Sequence, residues 1–149
     1  PVKNFVEFIA YAKANPAKIN FASAAVASPG HLAGEMLNLA AGIHMQHVPY
    51  KGSGQAVVDL VGGQVQMMVS GMSSVMPHIK AGRLKAIAIT SRERNALLPG
   101  IATIGETVAG FEADTWVGMF VPAGTPIPVI NRLHAAAAAS SMLRRAGER

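Results

Sequence analysis

The chain has 149 residues and a formal net charge of +5, and half of its residues are hydrophobic. That length predicts a single domain, and intrinsic disorder is excluded because a chain this apolar, with 14% charged residues, offsets the entropy of ordering. The lack of cysteine excludes a disulfide scaffold and a thiolate zinc site, and an aromatic content of 5% argues against a nucleic-acid surface despite the basic residues in 80–94.

Helix and strand patterns alternate along the chain. A helix is predicted between Asn4, which can cap it, and Pro16, and another between Ser28-Pro29 and Gly42. Strands are predicted at 18–23, 45–48, 64–69, 84–90 and 115–121, and further helices at 55–61, from Ser73/Ser74 to Gly82, at 103–106 and after Thr125-Pro126. This alternation predicts an α/β fold with a mainly parallel, five-stranded sheet and helices on both faces.

The sequence contains no motif that indicates catalysis. It has no Gly-x-Ser-x-Gly elbow, no Walker lysine loop and no Gly-x-Gly-x-x-Gly after a predicted strand. His44 and His47 are three residues apart at the start of a strand, where that spacing places side chains on opposite faces, so no metal site is predicted. The methionines of segment 67–76 are expected to fill the core rather than bind copper. We therefore expect a protein that is not an enzyme and needs no cofactor.

Three loops that follow predicted strands and precede predicted helices are the candidates for a binding site. They are residues 23–30, 50–54 and 70–74, which are rich in serine and glycine. The first and second combine hydroxyl or ammonium groups with the positive end of a helix, a combination that favours a carboxylate or phosphate. Because the carboxyl ends of parallel strands share one edge of a sheet, these loops predict a pocket for an anion or another polar solute.

Seven segments of the chain occur in an order that is typical of one family. They are Lys13–Ser23, Ser28–Glu35, His47–Gly52, Leu60–Gln64, Pro77–Gly82, Leu84–Thr90 and Trp116–Pro126. In this order they resemble the substrate-binding receptors of tripartite tricarboxylate transporters, the Bug or TctC family. The resemblance extends from about Phe5 to Leu133.

The resemblance implies a type II periplasmic binding protein fold, in which two lobes close on a small solute, commonly a carboxylate. Residues 1–114 would form the second, ligand-binding lobe, and residues 115–149 a hinge strand and a helix that return toward an absent first lobe. The chain lacks a starting Met and a recognisable signal peptide, so we expect a fragment of a longer periplasmic protein. That protein would deliver its solute to the membrane subunits of the transporter.

The resemblance also implies which residues face the ligand. Carried over position by position, they are Ser23, Ala24, Ser28, His31, Tyr50, Gly52, Met72 and Ser73. Family members usually have glycine where this chain has Ala25 and Ala27. Alanine resists a positive φ and adds a methyl group near the ligand, so either the turn or the pocket is expected to differ here.

Two other functions and one assembly state remain as expectations. An effector-binding domain of a transcription regulator can share the fold, and a small α/β enzyme with an unrecognised site is the third hypothesis. Surfaces meant for the first lobe would be exposed in a fragment, and exposed strands and apolar patches favour self-association. We therefore expect a homodimer, with the terminal strand or helix exchanged between the chains.

Overall fold

The computed structural model describes residues 2–115 and 118–146. The packing of the chain divides it into two units, Pro1–Thr115 and Trp116–Arg149. Within the described ranges, no helix combines the length and the apolar character needed to cross a membrane. The sheet and the candidate site belong to the first unit.

The elements alternate as the sequence predicts. The strands are β1 (Asn20–Ser23), β2 (Gln46–Pro49) and β3 (Met67–Met68). The helices are α1 (Phe5–Ala14), α2 (Pro29–Ala41), α3 (Ser53–Val61), α4 (Met72–Lys80) and α5 (Ile127–Ala146), with one 3₁₀ turn at Ile104–Glu106.

Local chemistry sets the ends of the first helices. The Asn4 side chain accepts a hydrogen bond from the Glu7 amide over 2.9 Å and begins α1. Ser28 caps α2 in the same way, with Pro29 as its first residue. Gly42 ends α2 in the left-handed region at φ 61°, where glycine carries no steric penalty. These predicted boundaries are confirmed.

The sheet is parallel, with strand order β2-β1-β3. Phe21 of the central strand is in register with His47 on one side and Met67 on the other. All three strands therefore end at the same edge, and the loops that follow them meet there. The predicted α/β class and the parallel sheet are confirmed.

The expectation of five strands is corrected to three within the described ranges. Segment 84–90 forms a single bridge, between Ile89 and Thr103, and residues 118–121 are not in a strand. Residues 116 and 117 of the fifth predicted strand lie outside the described part of the chain. A β-strand requires a hydrogen-bonded ladder with a neighbour, and β3 pairs only with β1 in this sheet. An apolar, β-branched sequence such as 84–90 cannot supply that partner by itself.

The core of the first unit surrounds Phe21, which is fully buried. The other buried members of this cluster are Phe5, Phe8, Ile9, Ala12, Ile19, Leu37, Ala41, Ile43, Met45, Ile104, Val108 and Phe111. Gly34 brings α2 into direct contact with the strand below, because a Cβ at this position would lie 2.3 Å from the Phe21 ring. Helix α2 is thus held close over β1, and its first turn is placed at the carboxyl edge of the sheet.

An ion pair closes the 3₁₀ turn near the end of the first unit. Thr103 and Glu106 form a reciprocal capping box, and the Arg94 Nε–H donates to the Glu106 carboxylate over 2.8 Å. Hydrogen bonds from Arg94 and from the Thr103 backbone lower the pKa of Glu106 from its ordinary 4.5 to about 2. The carboxylate form is the one that these donors stabilise.

We expect Glu106→Gln to lower the thermal midpoint at neutral pH and to flatten its dependence on pH in acid. Because the folded-state pKa is depressed, the stabilisation is complete above pH 4.5 and is lost as the pH falls toward about 2. Thermal melts followed by circular dichroism across this range measure the effect. Gln at the exposed Glu93 serves as the control, and an equal change in both variants would contradict the role of the Arg94 pair.

Candidate functional site

Three edge loops follow the three parallel strands. The first edge loop is residues 24–28, the second is residues 50–52 and the third is residues 69–71. Since β1 is the central strand, the first edge loop lies between the other two. Each loop leads into the first turn of a helix, so the amino ends of three helices gather at one edge.

Backbone hydrogen bonds join the first and second edge loops. The Tyr50 amide donates to the Ser23 carbonyl over 3.0 Å, and the Gly52 amide donates to the Ala24 carbonyl over 2.8 Å. Gly52 has φ 126°, a conformation that residues with a side chain rarely adopt, and it caps α3. The first and second edge loops are thus held together by backbone hydrogen bonds at Ala24 and Gly52.

Close packing joins the first turn of α2 to the third edge loop. A Cβ on Gly30, in the first turn of α2, would lie 2.2 Å from the carbonyl oxygen of Val69. No residue other than glycine fits that contact without moving either α2 or the third edge loop. The role of Gly30 is not visible in the sequence, because it depends on Val69 in a distant loop.

The rings of two histidines stack next to the first edge loop. The rings of His31 and His47 have centroids 3.8 Å apart and planes at 16°, and the ring of Phe21 lies against both. The Ala27 amide donates to His31 Nδ1 over 2.9 Å, and His31 Nε2 lies 3.9 Å from the Glu35 carboxylate. From the sequence alone, the only role discussed for the His47 side chain is that of a metal ligand. Its position follows from the register that pairs it with Phe21.

The Ser23 hydroxyl is buried and its hydrogen bonds are made within the protein. It donates to the Ala25 carbonyl over 2.8 Å, and its oxygen lies 2.7 Å from His47 Nε2. Because the single hydroxyl proton is given to Ala25, the Nε2–H of His47 is the donor in the second contact. This is the reverse of a serine nucleophile activated by a histidine base. Burial, and secondarily the charge of His31, lower the pKa of His47, which favours its neutral ring.

The Tyr50 phenol is also engaged within the protein. It donates to the Asp59 carboxylate on α3 over 2.8 Å, a contact that raises the pKa of Tyr50. The donor is therefore occupied, and the half-buried ring is held in one orientation. The pairing of Asp59 with Tyr50 could not be predicted from the sequence, since a spacing of nine residues corresponds to no simple local motif.

The eight residues predicted to face a ligand are placed at or beside this edge. Ala24, Ser28, His31, Tyr50, Gly52 and Met72 are half-buried, Ser73 is exposed in the first turn of α4, and Ser23 is fully buried. Ser28 uses its hydroxyl oxygen to accept from the His31 amide over 3.3 Å. The fold brings all three loops together, and it directs the Ser23 side chain inward.

Two further features of the described part of the chain bear on these residues, namely the arrangement of its potential metal ligands and the position of a cavity. In the part of the chain that the structure describes, no three His, Asp or Glu side chains converge as metal ligands would. A cavity of about 890 Å³ opens on the β3 side, lined by the segment 83–91 and by β3 itself. It reaches Gly30 and Met72, but Ser23 and Tyr50 do not line it. Its wall is mainly apolar, which suits a further element of protein better than a charged solute.

Ala27 adopts φ 60°, the left-handed conformation that glycine tolerates best. We expect Ala27→Gly to raise the free energy of unfolding by about 0.5–1 kcal/mol, because the relief of a left-handed alanine, about 1–2 kcal/mol, exceeds the entropy that glycine adds to the unfolded chain. Ala25 has no positive φ, so Ala25→Gly is the matched control and should destabilise instead. Urea titrations of both variants measure the difference, and a loss of stability in Ala27→Gly would contradict this interpretation.

A parallel α/β unit whose loops gather helix ends at one edge binds its ligands at that edge. The chain belongs to the tripartite tricarboxylate transporter receptor family, TctC, whose family model matches residues 1–146. Receptors of this family are periplasmic solute-binding proteins.

Individual relatives agree with this assignment. The chain is 42% identical over 135 residues to a UPF0065 protein from the tcbD-tcbE intergenic region of Pseudomonas sp. strain P51, which covers 89% of this chain and 40% of the relative. It matches R. palustris Rpa4515 with adipate at a TM-score of 0.90 and 31% identity, covering 93% of this chain and 47% of that one. For MatC (Rpa3494) from Rhodopseudomonas palustris with bound malate, the TM-score is 0.84 and the identity is 31%. The match covers 93% of this chain and 48% of the MatC chain.

The chain therefore spans less than half the length of these proteins. The matched proteins give no support to the alternative of a transcription regulator.

Proposed function

We propose that the chain is the ligand-binding lobe of a periplasmic receptor that captures a small carboxylate and presents it to the membrane subunits of a tripartite transporter. The observation that carries the proposal is the meeting of three helix ends at one edge of the parallel sheet, in a chain of this receptor family. Two neighbours of the same fold are described with adipate and with malate, both dicarboxylates.

The electrostatics of the edge suit an anion. The amino ends of α2, α3 and α4 each carry a partial positive charge. The edge also offers hydroxyl groups, and it holds no acidic side chain among its loop residues 24–28, 50–52 and 69–71. A carboxylate would replace its hydration by these donors without a change in its own charge.

The predicted ligand residues divide by what the geometry leaves available. Ala24, Ser28 and Ser73 would offer amide or hydroxyl groups at the edge, and Met72 would offer apolar contact. Gly52 gives its amide to the Ala24 carbonyl, so it would contribute only the close approach of a backbone without a side chain. Ser23, His31 and Tyr50 use polar groups within the protein and would support the loops from beneath. Binding is the whole of the proposed activity, and no bond is made or broken.

Thermal denaturation in the presence of candidate solutes tests this function. The panel comprises adipate, malate, monocarboxylates, aromatic acids and amino acids, each at a concentration well above the expected dissociation constant. A ligand present at about 100 times its dissociation constant stabilises the folded state by about 2.7 kcal/mol, which a shift in melting temperature reports. We expect a shift with at least one carboxylate and none with its uncharged amide.

Because one lobe supplies half of a cleft, the parent receptor is the stronger test. The same panel applied to it separates weak binding by the lobe from lack of binding altogether. No carboxylate-dependent shift in either protein would contradict the proposed function.

We also propose a boundary within this chain. Residues 1–114 would be the ligand-binding lobe, and residues 115–149 would be the hinge strand and helix that lead back to the first lobe. Residues 118–121 are apolar and lie in neither a helix nor a strand, and Met119 is 67% exposed. Exposed apolar side chains in such a segment suit a neighbouring lobe better than water.

In isolation, the 149-residue chain is proposed to form a homodimer in which such terminal elements are exchanged. Within the described residues β3 is an edge strand of the sheet, and segment 118–121 is apolar and exposed at Met119. Both features support this, since an edge strand and an exposed apolar segment favour exchange between chains. Light scattering at increasing protein concentration tests the proposal, with Met119→Asp as the variant expected to shift the mass toward the monomer. A monomeric mass for the unaltered chain at high concentration would contradict it.

A further inference from the structure

The imidazole of His31 closes the first edge loop onto the helix that follows it. The Ala27 amide donates to Nδ1 of the ring over 2.9 Å, while the His31 amide donates to the Ser28 hydroxyl over 3.3 Å. Two hydrogen bonds of opposite direction thus span the turn between Ala27 and His31. The one made by the ring differs from an ordinary cap, because its acceptor is a titratable nitrogen.

Nδ1 accepts a hydrogen bond only while it carries no proton. The other ring nitrogen, Nε2, lies 3.9 Å from the Glu35 carboxylate, so the proton of the neutral ring belongs on Nε2. A second proton would occupy Nδ1 and turn the acceptor for Ala27 into a donor. The contact with Ala27 would then be broken.

We propose that His31 is a positioning residue for the solute site, whose neutral ring holds the first edge loop in its binding shape and whose protonation releases that loop. The proposal rests on the proposed function, because the loop it holds is the central one of the three. His31 acts on the solute through Ala27 and the loop, so it is not required to touch the solute itself.

The groups around the His31 ring link its hydrogen bond with the Ala27 amide to the charge of the ring. Among the described residues, the titratable side chains next to the His31 ring are Glu35 on its own helix and His47 on β2, while β1 contributes the uncharged ring of Phe21. With ring centroids 3.8 Å apart, two charged imidazoles would repel each other, so a charge on His31 disfavours a charge on His47.

The backbone conformation of Ala27 explains why loss of this hydrogen bond would change the shape of the first edge loop. Its φ of 60° is unfavourable for alanine, so the loop conformation at this residue needs contacts to maintain it. When Nδ1 is protonated, the Ala27 amide loses its partner and the residue is free to return to an extended or right-handed conformation. The amide groups at the start of α2 would then be presented differently.

Nuclear magnetic resonance on the 149-residue chain tests the hydrogen bond directly. We expect the ¹⁵N shifts of the neutral ring to show the proton on Nε2. As the pH is lowered from about 8 to about 5, the corrected protection of the Ala27 amide should fall roughly fivefold in step with the titration of His31, the effect of losing one hydrogen bond. An Ala27 amide that keeps its protection through that titration, or a neutral ring protonated on Nδ1, overturns the proposal.

Two variants separate the acceptor from the ring. His31→Asn keeps an acceptor near the position of Nδ1 but does not titrate, so we expect Ala27 protection that is independent of pH. His31→Phe keeps the stacked ring without an acceptor, so protection should be low at every pH. If instead His31→Phe retains the protection and His31→Asn loses it, the ring stack and not the hydrogen bond holds the loop, and the proposal is wrong. Circular dichroism confirms that both variants are folded.

Solute binding supplies the functional test. With malate or adipate, the affinity of the unaltered chain should fall more between about pH 8 and about pH 6 than that of His31→Asn, which controls for ionisation of the solute itself. Equal pH profiles would overturn the role of His31 in binding. If no carboxylate binds the chain or the parent receptor at any pH, the proposed function fails together with this role, while the Ala27 amide data still decide whether the hydrogen bond exists.

Discussion

Replacement of Phe21 by alanine is expected to lower the free energy of unfolding by about 3–5 kcal/mol, the usual cost of removing a fully buried aromatic ring from a packed core. The Phe21 side chain is completely buried at the centre of the main cluster. It supports Gly34 of α2 from below, and it contacts the stacked rings of His31 and His47. The substitution therefore removes the support of the core and of the site together.

The measurement is a urea titration combined with a thermal melt. A change of that size corresponds to a fall of roughly 10–20 °C in melting temperature for a domain of this size. Leu39→Ala is the control, because Leu39 is 85% exposed on the same helix that covers Phe21 and should change stability by less than about 0.5 kcal/mol. Comparable losses in both variants would show that the core is not centred on Phe21.

Replacement of Gly30 by alanine is expected to damage both stability and binding. The new methyl group would lie 2.2 Å from the Val69 carbonyl oxygen, and backbone cannot move aside as a flexible side chain can. Overpacking of this kind costs about 1–3 kcal/mol. Since the contact joins the first turn of α2 to the third edge loop, relief of the clash would separate the two and reduce affinity for a carboxylate roughly tenfold, the equivalent of about 1.4 kcal/mol.

Gly54→Ala is the matched control for this substitution. Gly54 also lies in the first turn of a helix, α3, but a Cβ there meets no atom within 4 Å. We expect it to leave binding unchanged and to stabilise the chain by about 0.5 kcal/mol, because alanine is the better helix former. Isothermal titration calorimetry of the parent receptor carrying each change measures the affinities. Equal affinities for the two variants would show that the Gly30 contact does not shape the site.

Local sequence signals predicted the elements wherever the deciding interaction lies within a few residues. The Asn4 and Ser28 caps, the glycine at position 42 and the capping box at 103–106 all act over three or four positions, and all are present. The parallel arrangement followed from the alternation of elements. The prediction of five strands was wrong for the described residues because pairing of segment 84–90 depends on a neighbour, and the residues of that segment do not specify one.

The site shows the same division between local and tertiary effects. The convergence of three loops was predictable, since it follows from parallel strands alone. The inward direction of the Ser23 hydroxyl was not, because it depends on the Ala25 carbonyl and on His47 from the neighbouring strand. Asp59 and Gly30 were missed for a related reason, since each acts through a contact with a residue on another element.

The sequence by itself determined the class of fold, the helix ends and the family, because these depend on local patterns and on the order of segments along the chain. Only the tertiary structure decided which polar groups remain available at the edge of the sheet. The register that places His47 beside Phe21 and the packing of α2 over β1 bring His31, His47 and Ser23 into contact. Hydrogen bonds between separate strands and helices join residues that are far apart in the sequence. The sequence of 149 residues, rich in small apolar side chains, therefore does not reveal which donors and acceptors these bonds occupy.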